Sequence, residues 1–243
     1  MSSPVISLVV LAWNQRAHTE RCVTSLRRHT DVPYELIIVD NGSGPEAAEY
    51  ARVAADVAVL NGENLGFAAG MNRGLAAASG MYVAFINNDT EFPAAWASQL
   101  VDTFAAHPDA GIVLPAVTAA GNACGVRSEP GPDRVVVPPF REIPSGVVYV
   151  LPRELASAVG GWSEAYPVAS AEDLDLLFTV WAVGRSVVLD ERVLVHHVGS
   201  ATVRSGIPGW WKLARANRHL FTARWMAMTP AQLAIPDGCD PAA

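Results

Sequence analysis

Met81-Tyr82-Val83-Ala84-Phe85-Ile86-Asn87-Asn88-Asp89-Thr90 decides how this chain is read. The apolar half predicts a buried strand. It stops in two amides, a carboxylate and a hydroxyl. Phe92-Pro93 then closes the strand and opens a helix predicted over 94–106. Polar groups at the carboxyl end of a central strand stand where open α/β sheets bind ligands. Asp89 is the one charge in the cluster. It is the kind of oxygen ligand that a hard cation carrying a phosphate-bearing substrate takes. On its own the stretch reads equally as a strand-ending turn, because Asn, Asp and Thr are ordinary turn residues.

The flanking sequence repeats the pattern. Residues 5–12 predict a first strand that ends at Trp13-Asn14. Residues 34–39 predict a second, ending at Asp40-Asn41-Gly42-Ser43-Gly44. A short third strand is expected over 57–60. Helices are predicted over 17–29, 46–55 and 67–78, each bounded by Pro or Gly. This alternation predicts an α/β fold with a mostly parallel central sheet and helices on both faces. The later half is less regular. Strands are predicted over 111–115, 146–151, 187–189 and 193–197, and helices over 152–159, 172–183 and 209–226. Residues 118–144 are rich in Gly, Pro and scattered charge, so irregular structure with one or two edge strands is expected. One domain is expected over 1–228. It divides into a nucleotide-binding half to about 115, an acceptor half to about 205 and a basic helix, with a flexible tail over 229–243.

Composition narrows the function. The chain has 243 residues, 51% of them hydrophobic, and a net charge of −7. An acidic balance argues against nucleic acid as a partner, because phosphate-backbone binding needs a basic face. The three cysteines, Cys22, Cys124 and Cys239, are far apart and show no metal or redox spacing. That suits a reducing compartment. No signal peptide or membrane span is expected from the sequence, which suggests the cytoplasm.

Four constellations could carry chemistry. Trp13-Asn14, Asp40-Asn41 and Asn88-Asp89 end three strands that would be parallel, so they would converge on one edge. There Asp40 could accept from a base N–H. Glu172-Asp173-Leu174-Asp175 opens a helix; acids are favoured there by the helix dipole, yet Asp173 could be a general base if the fold brings it to that edge. His196-His197 ends a strand, and one of the two, paired with Asp89, would complete a metal site of mixed N and O ligands. Trp210, Trp211, Lys212, Arg215, Arg218 and Arg224 make the last helix basic. It reads as a solvated face, a diphosphate contact or a surface for anionic lipid. No G-x-G-x-x-G follows the first strand and no P-loop is present, which speaks against dinucleotide oxidoreductases and P-loop enzymes.

Taken together, these stretches resemble glycosyltransferase family 2, with its GT-A fold, and in particular its rhamnosyltransferase-like members. The segments that carry the likeness begin with Val9-Val10-Leu11-Ala12-Trp13-Asn14 and Ile38-Val39-Asp40-Asn41-Gly42-Ser43. Asn64-Leu65-Gly66-Phe67-Ala68-Ala69-Gly70-Met71-Asn72-Arg73-Gly74 and Phe85-Ile86-Asn87-Asn88-Asp89-Thr90 follow. Glu172-Asp173-Leu174-Asp175-Leu176 and His197-Val198-Gly199-Ser200-Ala201-Thr202 close the series. The resemblance implies that Ala12, Trp13 and Asp40 hold the nucleobase and that Asn64, Gly66 and Asn72 shape the nucleotide pocket, beside Asn14 and Asn41. Asn87-Asn88-Asp89 stands where the family has its D-x-D motif, so Asp89 would be the metal ligand and Asn87 would replace an acid near the ribose. His197 would face the metal and diphosphate, and Arg215 and Arg218 would lie near the diphosphate. Asp173 would be the base. Gly146 would leave room for donor sugar or acceptor, and Glu172 would be an acceptor-binding neighbour.

The implied function is a metal-assisted, inverting, hexosyltransferase-type glycosyltransferase. Its partners would be a UDP-, dTDP- or GDP-sugar, Mn²⁺ or Mg²⁺, and a hydroxyl-bearing acceptor in polysaccharide, glycolipid or secondary-metabolite synthesis. Peripheral contact with the inner face of the membrane fits the last helix. Two other readings stay open from the sequence: a nucleotidyltransferase, and an inactive sugar-nucleotide-binding module, for which Asn87 and Asn88 are the support.

Overall fold

A computed structural model of the chain describes residues 3–119, 124–139, 142–168, 170–198 and 209–226, without the side chains of 210 and 211. The predicted tail, residues 199–202 of the last segment that carries the family likeness, and the Trp210 and Trp211 side chains lie outside the described residues.

The first half alternates as the sequence predicts. Strand β1 (Ile6–Ala12), helix α1 (Arg16–His29), β2 (Tyr34–Asn41), α2 (Pro45–Ala54), β3 (Val57–Asn61), α3 (Phe67–Ala77) and β4 (Tyr82–Asn87) follow one another. β1 pairs in parallel with β2 and β4, and β2 with β3. Pro45 starts α2 where a missing N–H costs nothing, and Glu46 in its first turn suits the positive end of the helix dipole. α3 lies close on the sheet because Gly70 and Gly74 share the face turned to it. A Cβ at Gly74 would stand 2.2 Å from Val9 Cγ1, and one at Gly70 2.5 Å from Leu11 Cδ1. Alanine at Gly74 would press on Val9 and Val39 of the sheet, whereas alanine at Gly70 would have to turn the Leu11 side chain aside.

The second half changes direction. β5 (Thr90–Glu91), α4 (Trp96–Ala106), β6 (Ala110–Val117), β7 (Arg134–Val136), β8 (Val148–Pro152), α5 (Arg153–Ala158), α6 (Glu172–Ala182), β9 (Ser186–His197) and α7 (Trp210–Trp225) complete the chain. The strand order is β3-β2-β1-β4-β8-β6-β9-β5, with β7 on the side of β9. β8 runs antiparallel to β4 and β6, whereas β6 and β9 are parallel. The sheet is therefore mostly parallel, with an antiparallel strand at its centre and short antiparallel additions.

Two expectations differ from the structure. The strands predicted over 187–189 and 193–197 are one strand, β9. The polar Asp190-Glu191-Arg192 looked like a break, but β9 stays extended while its pairing with β6 shifts register there. Asp190 is buried and bonded by Arg192 at 2.7 and 2.8 Å and by the Thr103 hydroxyl at 2.7 Å. Glu191 is paired with Arg127. Charges that are paired this way can stay in the interior. The second difference is β5, a two-residue strand that no periodicity could reveal.

Core residues pack on both faces of the sheet. α1, α2 and α4 cover one face with Cys22, Val23, Leu26, Ala51 and Trp96. α3, α5 and α6 cover the other, around Met71, Phe85, Trp162 and Leu177. Among the described residues no helix is long and apolar enough to cross a membrane.

Candidate active site

The carboxyl ends of β1, β2 and β4 stand side by side. Ala12 lies opposite Asp40, and Leu11 opposite Asn87. Asp40 is 2% exposed. Its Oδ2 accepts the Ser43 N–H at 3.2 Å, while Oδ1 is buried with no hydrogen-bond partner. A buried acceptor without a partner costs on the order of 1–3 kcal/mol, and a base N–H would satisfy it. Asn14 ties the two neighbouring loops together: its N–H donates to the Ser43 hydroxyl at 2.7 Å and its Oδ1 accepts the Gly44 N–H at 3.4 Å. Trp13 is half-buried beside them.

The asparagines that the resemblance assigns to the nucleotide pocket build its walls. Asn41 donates to Asn64 Oδ1 and the Gly66 carbonyl, and it accepts from Asn61 Nδ2 and the Leu65 N–H. Its amide is thus fully used in folding the 61–66 loop. Asn64 Oδ1 also caps the Gly66 N–H at 2.9 Å. Asn72 holds the backbone of Trp162 through both its amide atoms and reaches Glu164. Asn88 is buried and donates to Thr19 of α1 at 2.9 Å.

β5 brings Asp89 to His197. Thr90 and Glu91 pair with His197 and His196, and the Val198 N–H donates to the Asp89 carbonyl. His197 Nε2 then stands 3.2 Å from Asp89 Oδ1, with both side chains buried. Nδ1 faces the Ala119 carbonyl, which fixes the ring and leaves Nε2 to meet the carboxylate. Burial alone would lower the imidazole, but the Asp89 carboxylate and the Ala119 carbonyl outweigh it and raise His197 above its ordinary value. The neighbour His196 points the other way and meets the Thr118 hydroxyl. One carboxylate and one imidazole make a mixed O and N donor pair that suits Mn²⁺ or Mg²⁺, with the remaining positions left to phosphate oxygens and water. Among the described residues no group of three or more His, Cys, Asp or Glu side chains gathers in one place, so phosphate would have to supply ligands.

The start of α6 meets the segment that leads into β8, beside the end of β4. A Cβ at Gly146 would stand 2.7 Å from Asp173 Oδ2 and 2.9 Å from Asp173 Cβ. The backbone at Gly146 is therefore the surface on which the Asp173 carboxylate rests. Asp173 is half-buried and also accepts the Leu174 N–H at 2.9 Å. Burial raises it above an ordinary aspartate, against the backbone N–H groups of Leu174 and Ala171 that lower it. Gly146→Ala should push the carboxylate out of place. Displacement by about 1 Å costs up to roughly 10²-fold in rate, so turnover should fall by about that much with donor affinity kept, in steady-state kinetics.

Two expectations for α6 need restating. Glu172, expected as an acceptor-binding neighbour, is 5% exposed and adjoins Asp173 in the first turn of α6. Asp175 points away from Asp173, as expected from its position on the helix, but it is far from idle. Its carboxylate accepts from Tyr166 OH at 2.8 Å, Trp225 Nε1 at 2.6 Å and Arg224 at 3.1 Å, which clamps α7 to α6. Asn217 of α7 adds a bond to the Pro167 carbonyl at 3.0 Å. Arg215 and Arg218 are exposed. No sequence pattern marked this clamp, because its partners are separated by up to 50 residues.

A mostly parallel sheet with helices on both faces, an antiparallel strand beside β4 and polar strand ends on one edge has the GT-A architecture. The chain belongs to glycosyl transferase family 2: residues 7–129 match the model of that family. Among curated relatives it is 36% identical over 107 residues to a putative glycosyltransferase, EpsH, of Bacillus subtilis, covering 42% of this chain and 31% of that one. It is 29% identical over 220 residues to the uncharacterized protein Rv1525 of Mycobacterium tuberculosis, covering 86% of this chain and 80% of that one. The chain thus spans under a third of EpsH but most of the mycobacterial relative. GalNAc-T7 in complex with UDP, GalNAc and Mn²⁺ shares the fold, with a TM-score of 0.65 at 13% identity over 95% of this chain and 53% of that one. The mannosyltransferase PcManGT of Pyrobaculum calidifontis, in complex with GDP-Man and Mn²⁺, does so with a TM-score of 0.59 at 17% identity, over 96% and 73%.

Proposed function

We propose that the chain transfers a sugar from a nucleoside-diphosphate sugar to an acceptor hydroxyl with inversion at the anomeric carbon. The observation that carries this reading is the Asp89–His197 contact at 3.2 Å, on the same sheet edge as Asp40. Asp40, with Ala12 and Trp13, would receive the nucleobase; the unsatisfied Asp40 Oδ1 is the acceptor for its N–H. Asn87 lies between base and phosphate ends and would face the ribose. Asp89 and His197 would hold Mn²⁺ or Mg²⁺, which offsets the charge of the departing diphosphate. Arg215 and Arg218 on α7 would add positive charge near the diphosphate, and the same basic face suits peripheral contact with anionic lipid at the cytoplasmic surface of a membrane.

Asp173 takes the proton of the acceptor hydroxyl. The acceptor oxygen bonds to the anomeric carbon as the bond from that carbon to the diphosphate breaks, and the electron pair leaves with the nucleoside diphosphate. Asp173 would lie across the anomeric carbon from the leaving group; what supports this role is its contact with Gly146, next to the Val147 carbonyl that accepts the Asn87 N–H at the end of β4. A UDP-, dTDP- or GDP-hexose is the donor class this arrangement suits. Rhamnosyltransferase-like specificity remains part of the proposal through the sequence likeness alone.

Incubation with a panel of UDP-, dTDP- and GDP-sugars and Mn²⁺, read by mass spectrometry, tests the reading. At least one donor should release its nucleoside diphosphate, faster with Mn²⁺ than with a chelator. Intact donors throughout would favour a binding module with no turnover.

A further inference from the structure

The first turn of α6 holds two neighbouring carboxylates in unlike surroundings. Asp173 is partly buried, less fully than its neighbour. Glu172 is 95% buried by exposure, and its Oε2 has no hydrogen-bond partner. Among the described residues, the groups that act on Glu172 are the Asp173 carboxylate and the backbone N–H groups of Ser170 and Glu172 itself, with no cation. Tyr149 of β8 is a second buried polar group without a partner. It is 1% exposed, and its ring stands edge-on to Trp162 at 5.5 Å, so its hydroxyl cannot swing out to water. The charges that bear on this hydroxyl are first Asp173 and then Glu172, with the Cys124 thiol beyond them.

Physical chemistry allows one charge here. Two adjacent carboxylates in a desolvated site do not both stay ionised. A buried carboxylate with no cation takes up a proton instead of bearing the desolvation cost. The positive end of α6 favours a single negative charge, and the more exposed residue is the cheaper place for it.

We propose that Glu172 is a positioning residue: buried next to Asp173 in the first turn of α6 and held as a neutral acid, it leaves Asp173 as the single carboxylate of the pair and so as the base. This rests on the transferase reading for its function but not for its test. Burial, with the Asp173 charge adding to it, pushes Glu172 up to about 8. The sign of the consequence follows from linkage. The folded value lies above the ordinary 4.5, so the unfolded chain loses this proton first as pH rises. The contribution to stability is full below about 4.5 and is lost progressively as pH rises to about 8.

The test is the melting temperature of the ligand-free chain from pH 5 to 9, for wild type, Glu172→Gln and Asp173→Asn. Glutamine keeps the shape and neutrality, so the wild type should lose stability relative to Glu172→Gln as pH rises to about 8 and run parallel to it above. In Asp173→Asn the same step should fall at lower pH, because the neighbouring charge is gone. Parallel curves for wild type and Glu172→Gln from pH 5 to 8 would overturn the proposal, as would a step that stays in place in Asp173→Asn. Should Glu172→Gln not fold, the shift of the step between wild type and Asp173→Asn decides alone. No nucleotide sugar enters these measurements, so their failure is distinct from failure of the transferase reading, which the donor panel reads. With a working donor, Glu172→Gln should keep turnover within severalfold of wild type near pH 7 and lose the wild-type decline above about pH 8; a collapse of turnover near pH 7 would make Glu172 the base instead.

Discussion

Asp173→Asn should bind donor normally and lose turnover by about 10²–10⁴-fold, the usual range for removal of a general base. Asparagine keeps the size of the side chain and its bond from the Leu174 N–H, so the geometry at the start of α6 survives. What disappears is the ability to take a proton. The rival candidates are excluded by place. Asp89 is engaged with His197 on the phosphate side. Asp175 is clamped by Tyr166, Arg224 and Trp225. Glu172 is buried. Loss of kcat with an unchanged donor KM is the signature of an interaction made only in the transition state. Full turnover in Asp173→Asn, with a collapse in Glu172→Gln, would move the base one residue back; full turnover in both would remove inversion by a base at α6.

The second large effect belongs to Asp89. Asp89→Ala removes the only carboxylate at the end of β4 and leaves His197 alone as a protein ligand. Loss of a residue that merely orients a metal ligand typically costs 10- to 100-fold in metal affinity, so loss of the ligand itself should cost at least about 100-fold. The expected result is nucleoside diphosphate binding that no longer responds to Mn²⁺, with turnover lost in proportion. The Asp89 side chain also holds the imidazole that ends β9, so the melting curve of the variant should be recorded beside its kinetics. A folded variant that keeps the wild-type Mn²⁺ response would take Asp89 out of the metal site.

How much of this was legible in the sequence depended on the range of the interaction. β1, β2 and β4 were readable because each is an apolar run that ends in polar residues, and the parallel register then places Asp40 beside Ala12 without further information. The boundaries of α1 to α4 followed from Pro, Gly and periodicity. β9 was read as two pieces because Asp190-Glu191-Arg192 looks like a turn; the partners of its two acids, the buried Thr103 and the exposed Arg127, are far away in sequence. β5 is too short to carry a pattern, yet its pairing with β9 is what sets Asp89 against His197. The doublet His196-His197 left the inward residue undecided by alternation; the register chose His197. Asn41, at a strand end, and Asn72, on α3, are given to the nucleotide pocket by the family likeness; their amides hold the 61–66 loop and the backbone of Trp162, contacts that no local pattern marks. The burial of Glu172 next to Asp173 could not be read from two adjacent acids at a helix start, since the dipole alone would account for both.

Calorimetric titration of the wild-type chain with UDP, dTDP and GDP, each with Mn²⁺ and with chelator, bears most directly on the reading of this sheet edge as a nucleoside diphosphate site. Binding of at least one of the three, tightened by Mn²⁺ and lost in metal response in Asp89→Ala, is the expected result. No heat of binding for any of them in either condition, from a chain that melts cooperatively, would contradict it.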